Sequence, residues 1–107
     1  MNEAEFRKIF DQTLLDLEQT IEAADLAVDC EPEAGTLQLC FQDGIKWVIT
    51  PQPPLKQLWF ATHEQGYHFD HQDGRWVDNR SGETFAHLLN TVLSAQLHKK
   101  VELNFLH

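Results

Sequence analysis

Hydrophobic periodicity changes twice along this chain. The N-terminal part repeats apolar residues with the period of a helix, about 3.6 residues, which predicts an amphipathic helix over 3–22. A second helical pattern lies near the C-terminus, with Ser81 as its predicted N-cap, Glu83 in its first turn and an end near Gln96. Between the two helices, short segments of alternating polarity predict about six strands. Turn signals separate these segments at 42–44, 51–54 and 72–74.

Two helices can cover only one face of such a sheet. We therefore predict an α+β fold, a two-layer α/β sandwich with both helices on one face of a largely antiparallel sheet of about six strands. Residues 1–107 are predicted to form a single domain. The alternation of Val101, Leu103 and Phe105 predicts that the C-terminal segment packs against the core.

The stretch LKQLWFAT (55–62) is predicted to be a strand with side chains on both the covered and the uncovered face of the sheet. If Leu58 and Phe60 face the core, Gln57 and Trp59 face the other way, where an antiparallel strand is normally polar. We predict that Trp59 faces water, because no element remains to cover that face, and an exposed tryptophan is a candidate contact residue, since tryptophan is enriched in interfaces. The alternative is a Trp59 ring covered by neighbouring side chains.

The charge balance restricts the possible partners. Eight Lys and Arg stand against 17 Asp and Glu, a formal net charge of −9. Phosphate binding needs a basic patch, so nucleic acid and anionic membrane are excluded, whereas cations or a basic protein surface fit. The segment 9–45 contains no Lys or Arg and nine acidic residues: Asp11, Asp16, Glu18, Glu22, Asp25, Asp29, Glu31, Glu33 and Asp43.

Several of these carboxylates share one side of their element. Helical spacing places Asp11, Glu18 and Glu22 along one edge of the first helix, and alternation turns Asp29 and Glu31 outward on the first strand. Carboxylate oxygens suit hard cations, but the D-x-D-x-D-G motif is absent, so a cation would be bound weakly and with much of its water. The alternative is a solvated acidic face that serves solubility.

Other functional classes find little support. Cys30 and Cys40 have no neighbouring cysteine, which predicts reduced packing thiols. His68 and His71 lie on opposite faces of a strand and make a poor chelate. No G-x-S-x-G, P-loop or H-E-x-x-H motif is present, so we expect a protein that is not an enzyme. Without a signal-peptide pattern or a long apolar run, we expect a cytoplasmic bacterial-type protein or a mature organellar one.

Four stretches together resemble the frataxin family, and its bacterial members most closely. They are the acidic first helix and strand, KQLWFAT (56–62), GYHFD (66–70) and NRSGETFAHLL (79–89), and the resemblance runs the whole length of the chain. It implies a domain that binds iron (Fe²⁺/Fe³⁺) weakly and exchangeably and regulates iron–sulfur cluster assembly. The implied partners are the cysteine desulfurase, IscS in bacteria, and its scaffold complex, with the chain a monomer in the absence of iron.

The resemblance also assigns residues. The implied iron ligands form an acidic ridge that docks on a basic desulfurase surface, with Glu18 and Glu22 in both roles. On the sheet, the implied partner contacts are Trp59, Gln57 and Gln52. The acidic ridge consists of Asp11, Glu18, Glu22, Asp25, Asp29, Glu31 and Glu33.

One departure and two rival functions stay open. Relatives often carry Asn and a basic residue before the glutamine where this chain reads Thr50-Pro51-Gln52, so only Gln52 is carried over from that corner. One rival is an iron-storage or iron-oxidising protein that works by metal-driven oligomerisation. The other is an acidic adaptor with no role in metal binding.

Overall fold

The predicted two-layer sandwich is confirmed. A computed structural model describes residues 1–105 and 107, with two α-helices and a six-stranded sheet. Each strand pairs antiparallel with the next, so the spatial order is the chain order from β1 to β6. The elements are α1 (Glu3–Ala23), β1 (Val28–Glu33), β2 (Thr36–Phe41), β3 (Lys46–Gln52), β4 (Gln57–Ala61), β5 (Gly66–Gln72), β6 (Arg75–Asp78) and α2 (Phe85–Leu97).

The apolar stripes of both helices share one core with alternate residues of the sheet. Asn2 starts α1 with a capping box, in which its side chain accepts from the backbone N–H of Glu5 at 2.8 Å. Trp76 is fully buried in the core, and its Nε1 donates to Thr13 Oγ1 at 3.0 Å. Neither helix in the described ranges is long and apolar enough to cross a membrane.

The second helix begins later than predicted. Thr84 is its N-cap and accepts from the backbone N–H of His87 at 3.2 Å, so Ser81 does not cap it and Glu83 lies before its first turn. The reason is the buried carboxylate of Asp78, which accepts from the Ser81 hydroxyl at 2.8 Å. This bond holds the preceding loop against β6 and leaves the capping role to the next hydroxyl.

The proline-rich stretch interrupts the sheet later than predicted as well. β3 continues through Pro51 and Gln52, and a short 3₁₀ helix follows at Pro53–Leu55. Pro51 pairs with Leu58 of β4 but lies beyond Ile49, the last residue of β3 paired with β2. A proline is tolerated there because the strand has no partner on its other side that needs a donor.

The C-terminal segment packs on the core, as predicted. Val101, Leu103 and Phe105 are all buried. The Asn90 side chain holds the segment with two hydrogen bonds, accepting from the N–H of Leu103 at 2.8 Å and donating to its carbonyl at 3.3 Å. These contacts close the side of the core next to α2.

Candidate cation and partner surface

The structure brings the helix part and the strand part of the acidic ridge together. A shallow groove of 230 Å³ runs between α1 and the β1–β2 hairpin, and Asp11, Glu18 and Glu33 line it. Asp25 follows α1 with a left-handed backbone (φ +52°), a conformation that Asp tolerates. Glu22, Asp29 and Glu31 are exposed. Three of the seven ridge carboxylates thus line the groove, and the other four lie outside its lining.

One basic residue borders the acidic ridge. Arg7 Nη1 lies 3.4 Å from Asp11 Oδ1, and the same atom lies 3.4 Å from the position of a Cβ on Gly35 in the β1–β2 turn. Arg7 precedes the segment without basic residues, and its spacing of four from Asp11 was the signal for this pair. Both side chains are about half exposed, so the pair stabilises the fold little.

The remaining ridge carboxylates have no such neighbour. Within residues 1–105 and 107, no Lys, Arg or His lies in ion-pair distance of the other six. The two acidic residues of 9–45 outside the ridge are engaged elsewhere. Asp16 pairs with His107 at 2.6 Å, and Asp43 accepts from Gln96 at 2.9 Å. Six of the seven ridge carboxylates thus have no ion-paired neighbour among the described residues.

The ridge has the donor chemistry for a hard cation without a closed site. Within the described part of the chain, no group of three or more His, Cys, Asp or Glu is arranged to hold a metal ion. Carboxylates spread over an open surface contact a cation singly or in pairs, so the cation keeps most of its water. Such a surface suits exchangeable binding of a hard cation more than a structural metal centre.

The carboxylates of the acidic ridge also act on the nearby thiol of Cys30. Burial, and next the charges of Glu18 and Glu22, raise the pKa of the Cys30 thiol from 9.0 to about 12. Cys30 packs against the core, as predicted, whereas Cys40 lies on the open face of the sheet and donates to Glu31 Oε2 at 3.3 Å. Both thiols are free. The pKa of this half-buried thiol thus depends on two of the ridge charges as well as on its burial.

We expect neutralisation of the ridge to make Cys30 more reactive. In a Cys40→Ser background, Glu18→Gln with Glu22→Gln removes two charges that disfavour the thiolate, so the Cys30 pKa falls. The alkylation rate at about pH 9.5 should rise by about two- to tenfold, since each pKa unit gives about tenfold more thiolate. Glu64→Gln with Glu102→Gln, which removes two exposed charges outside the ridge, is the control. An unchanged rate in the double variant would show that the ridge field does not reach this sulfur.

Trp59 lies on the open face of the sheet, as predicted, but it is half-buried and not fully exposed. Its Nε1 donates to Gln57 Oε1 at 2.9 Å, and its ring stacks on His68 with centroids 4.2 Å apart and planes 14° apart. Gln57 Nε2 in turn donates to Asp70 Oδ1 at 3.0 Å. Sequence reasoning missed the contributions of His68 and Asp70, whose only signal was their shared face on one strand.

The ridge and Trp59 belong to one continuous surface. Asp29 and Glu31 point to the same sheet face as Trp59, and their strand β1 lies three strand spacings from β4, about 14 Å across the sheet. Gln52 is half-buried and pairs with Gln57 across β3 and β4. A partner that buries about 800 Å² on this face can contact both regions at once.

An open antiparallel sheet backed by two helices, with an acidic edge and a tryptophan on the free face, defines a small α/β sandwich built for surface contacts. The Frataxin-like domain model matches residues 1–99. An iron–sulfur cluster assembly protein CyaY from Tolumonas auensis is 42% identical over 103 residues, covering 96% of this chain and 99% of the relative.

Solved structures agree with this match. Frataxin from Psychromonas ingrahamii has a TM-score of 0.90 at 36% identity, covering 95% of this chain and 97% of that one. A trimeric frataxin from Saccharomyces cerevisiae complexed with ferrous iron has a TM-score of 0.66 at 31% identity, covering 92% and 88%. The chain belongs to the frataxin family.

Proposed function

We propose that this protein binds iron weakly on its acidic ridge and regulates iron–sulfur cluster assembly by docking on the cysteine desulfurase IscS and its scaffold complex. It acts by binding and not by catalysis. The observation that carries the proposal is the acidic ridge itself, in which three of the seven carboxylates line one groove and Arg7 is the single ion-paired neighbour in the described chain. The name of the Tolumonas auensis relative, an iron–sulfur cluster assembly protein, supports the same process.

Docking follows from charge complementarity. A ridge that carries unneutralised charge attracts a basic protein surface over a range set by screening, about 8 Å at physiological ionic strength. Trp59 and Gln57, with Gln52 beside them, supply the second part of the contact on the open sheet face. The charge of the ridge sets the rate of encounter with the partner. The Trp59 region lies where shape and apolar contact decide specificity.

An anaerobic ferrous-iron titration of isotope-labelled protein tests the metal half of this proposal. We expect amide signals of residues on the ridge to shift or broaden first, while those of α2 stay unchanged. Weak, water-rich ligation predicts saturation only at high micromolar to millimolar iron, on the order of a Kd between about 10⁻⁴ and 10⁻³ M. In the Glu18→Gln with Glu22→Gln variant, which lacks two of the proposed ligands, iron should shift these amide signals less. Perturbations spread evenly over the surface, or none at millimolar iron, would remove the iron role from the ridge.

Metal-driven oligomerisation is the alternative function, and the trimeric yeast frataxin complexed with ferrous iron gives it a specific basis. In that case the ridge is an assembly and oxidation surface. Sedimentation velocity with and without ferrous iron under air separates the two. Only the storage function requires the monomer to disappear at modest metal excess, whereas the regulator stays monomeric while it binds the desulfurase.

A further inference from the structure

The polar chain behind Trp59 has a fixed direction. Gln57 and Asp70 are directly opposite each other on β4 and β5, and so are Trp59 and His68. An ionised carboxylate only accepts hydrogen bonds and an indole N–H only donates one. The Gln57 amide therefore satisfies both neighbours in one orientation, with Nε2 toward Asp70 at 3.0 Å and Oε1 toward Trp59 at 2.9 Å.

We propose that Asp70 is a positioning residue for Trp59, because it sets the orientation of the Gln57 amide that holds the indole ring. With the amide reversed, its NH₂ group would face the indole N–H, and two donors would oppose each other. The ring is also confined by His68, on which it stacks at 4.2 Å. Trp59 thus presents a preordered edge to a partner, and less entropy is lost on binding.

This inference deepens the proposed function and rests on it, because the value of a preordered Trp59 depends on Trp59 contacting the partner. It also adds to the role assigned to Gln57. Each end of its amide makes one hydrogen bond within the sheet, so Gln57 supports Trp59 while its second N–H and its second lone pair stay open to a partner.

The indole N–H signals provide a test that needs no partner. Each of the three tryptophans has its own acceptor, Gln57 for Trp59, His63 for Trp47 and Thr13 for Trp76. In Asp70→Asn the new amide no longer dictates the direction of Gln57. We expect only the Trp59 indole signal to shift and its solvent exchange to accelerate about two- to tenfold, the equivalent of one net hydrogen bond. Asp73→Asn, the same change in the exposed β5–β6 turn, is the matched control.

A double variant tests the same hydrogen-bond chain with the carboxylate and the amide exchanged between positions 57 and 70. Gln57→Glu combined with Asp70→Asn puts an acceptor-only carboxylate beside the indole and an amide donor opposite it. We expect this pair to return the Trp59 signal and its exchange rate toward those of the unchanged protein. Gln57→Glu alone sets two carboxylates face to face and should not. A Trp59 signal that is unchanged in Asp70→Asn, or a pair that behaves as the worse single variant, would overturn the positioning role.

Binding to the desulfurase complex separates this inference from the proposed function. Asp70→Asn should weaken binding by about two- to tenfold, and Trp59→Ala by more. Normal binding by Trp59→Ala would refute the partner role of Trp59 while the indole signals still decide the positioning role. Weak binding by Trp59→Ala together with normal binding and normal signals in Asp70→Asn would refute the positioning role alone.

Discussion

Replacing Glu18 and Glu22 by lysine is expected to slow association with the cysteine desulfurase by about tenfold or more at low ionic strength. Each reversal adds two positive units at the centre of the acidic ridge, where a basic partner surface must approach. Electrostatic steering changes association rates by about 10 to 10³-fold, so removing the ridge charge should affect the on-rate more than the off-rate. Stopped-flow or surface-based kinetics at several salt concentrations measure this effect.

Two features make the result specific. The rates of the variant and of the unchanged protein should converge as salt rises, because exposed charges are screened. The control is Glu64→Lys with Glu102→Lys, the same change in net charge at side chains that are 79% and 73% exposed and lie outside the ridge. Folding stability should change by less than about 1 kcal/mol, since relief of like-charge repulsion offsets other losses. Normal association by the ridge variant would refute docking through the ridge.

Phe105→Ala is expected to lower the free energy of unfolding by about 3 kcal/mol. The ring is 5% exposed and meets Phe85 edge to face at 5.9 Å, so its removal loses transfer free energy and leaves a cavity. Phe to Ala changes in cores cost about 3–5 kcal/mol, and the lower end applies near a chain end that can relax. For a chain of this size the melting temperature should fall by about 10–20 °C. Urea unfolding followed by fluorescence measures the difference.

The neighbouring residue supplies the control for this experiment. Asn104 is exposed in the same segment, and Asn104→Ala should stay within about 0.5 kcal/mol of the unchanged protein. A loss below about 1 kcal/mol in Phe105→Ala would show that the C-terminal segment does not contribute to the core in solution.

Most of the fold could be predicted from the local periodicity of apolar residues. Side chains three and four apart share a helix face and side chains two apart share a strand face, whatever the rest of the chain does. For this reason the sequence alone placed Leu58 and Phe60 in the core and Trp59 on the opposite face. The same rule collected Asp11, Glu18 and Glu22 on one helix edge, before any contact between helix and sheet was known. The helix part of the ridge is thus a property of local spacing in the sequence.

Element ends were less predictable, because they depend on competition between neighbouring hydrogen bonds. Ser81 and Thr84 have similar side chains, and either one is a suitable N-cap by type. The buried carboxylate of Asp78 binds the Ser81 hydroxyl, and only then does Thr84 become the cap. Likewise Pro51 remains in β3 because β2 ends before it, a fact that the pairing of strands decides.

Across strands, only the tertiary structure decided which side chains meet. Register sets Asp70 opposite Gln57 and His68 opposite Trp59, and a shift by one residue would have turned each of them to the other face. The packing of α1 against the β1–β2 hairpin likewise brought Asp11 and Glu18 of the helix to the same groove as Glu33 of the hairpin. Sequence spacing determines which side chains share a face of one element, whereas the long-range pairing of elements determines which faces meet, and only the folded chain specifies that pairing.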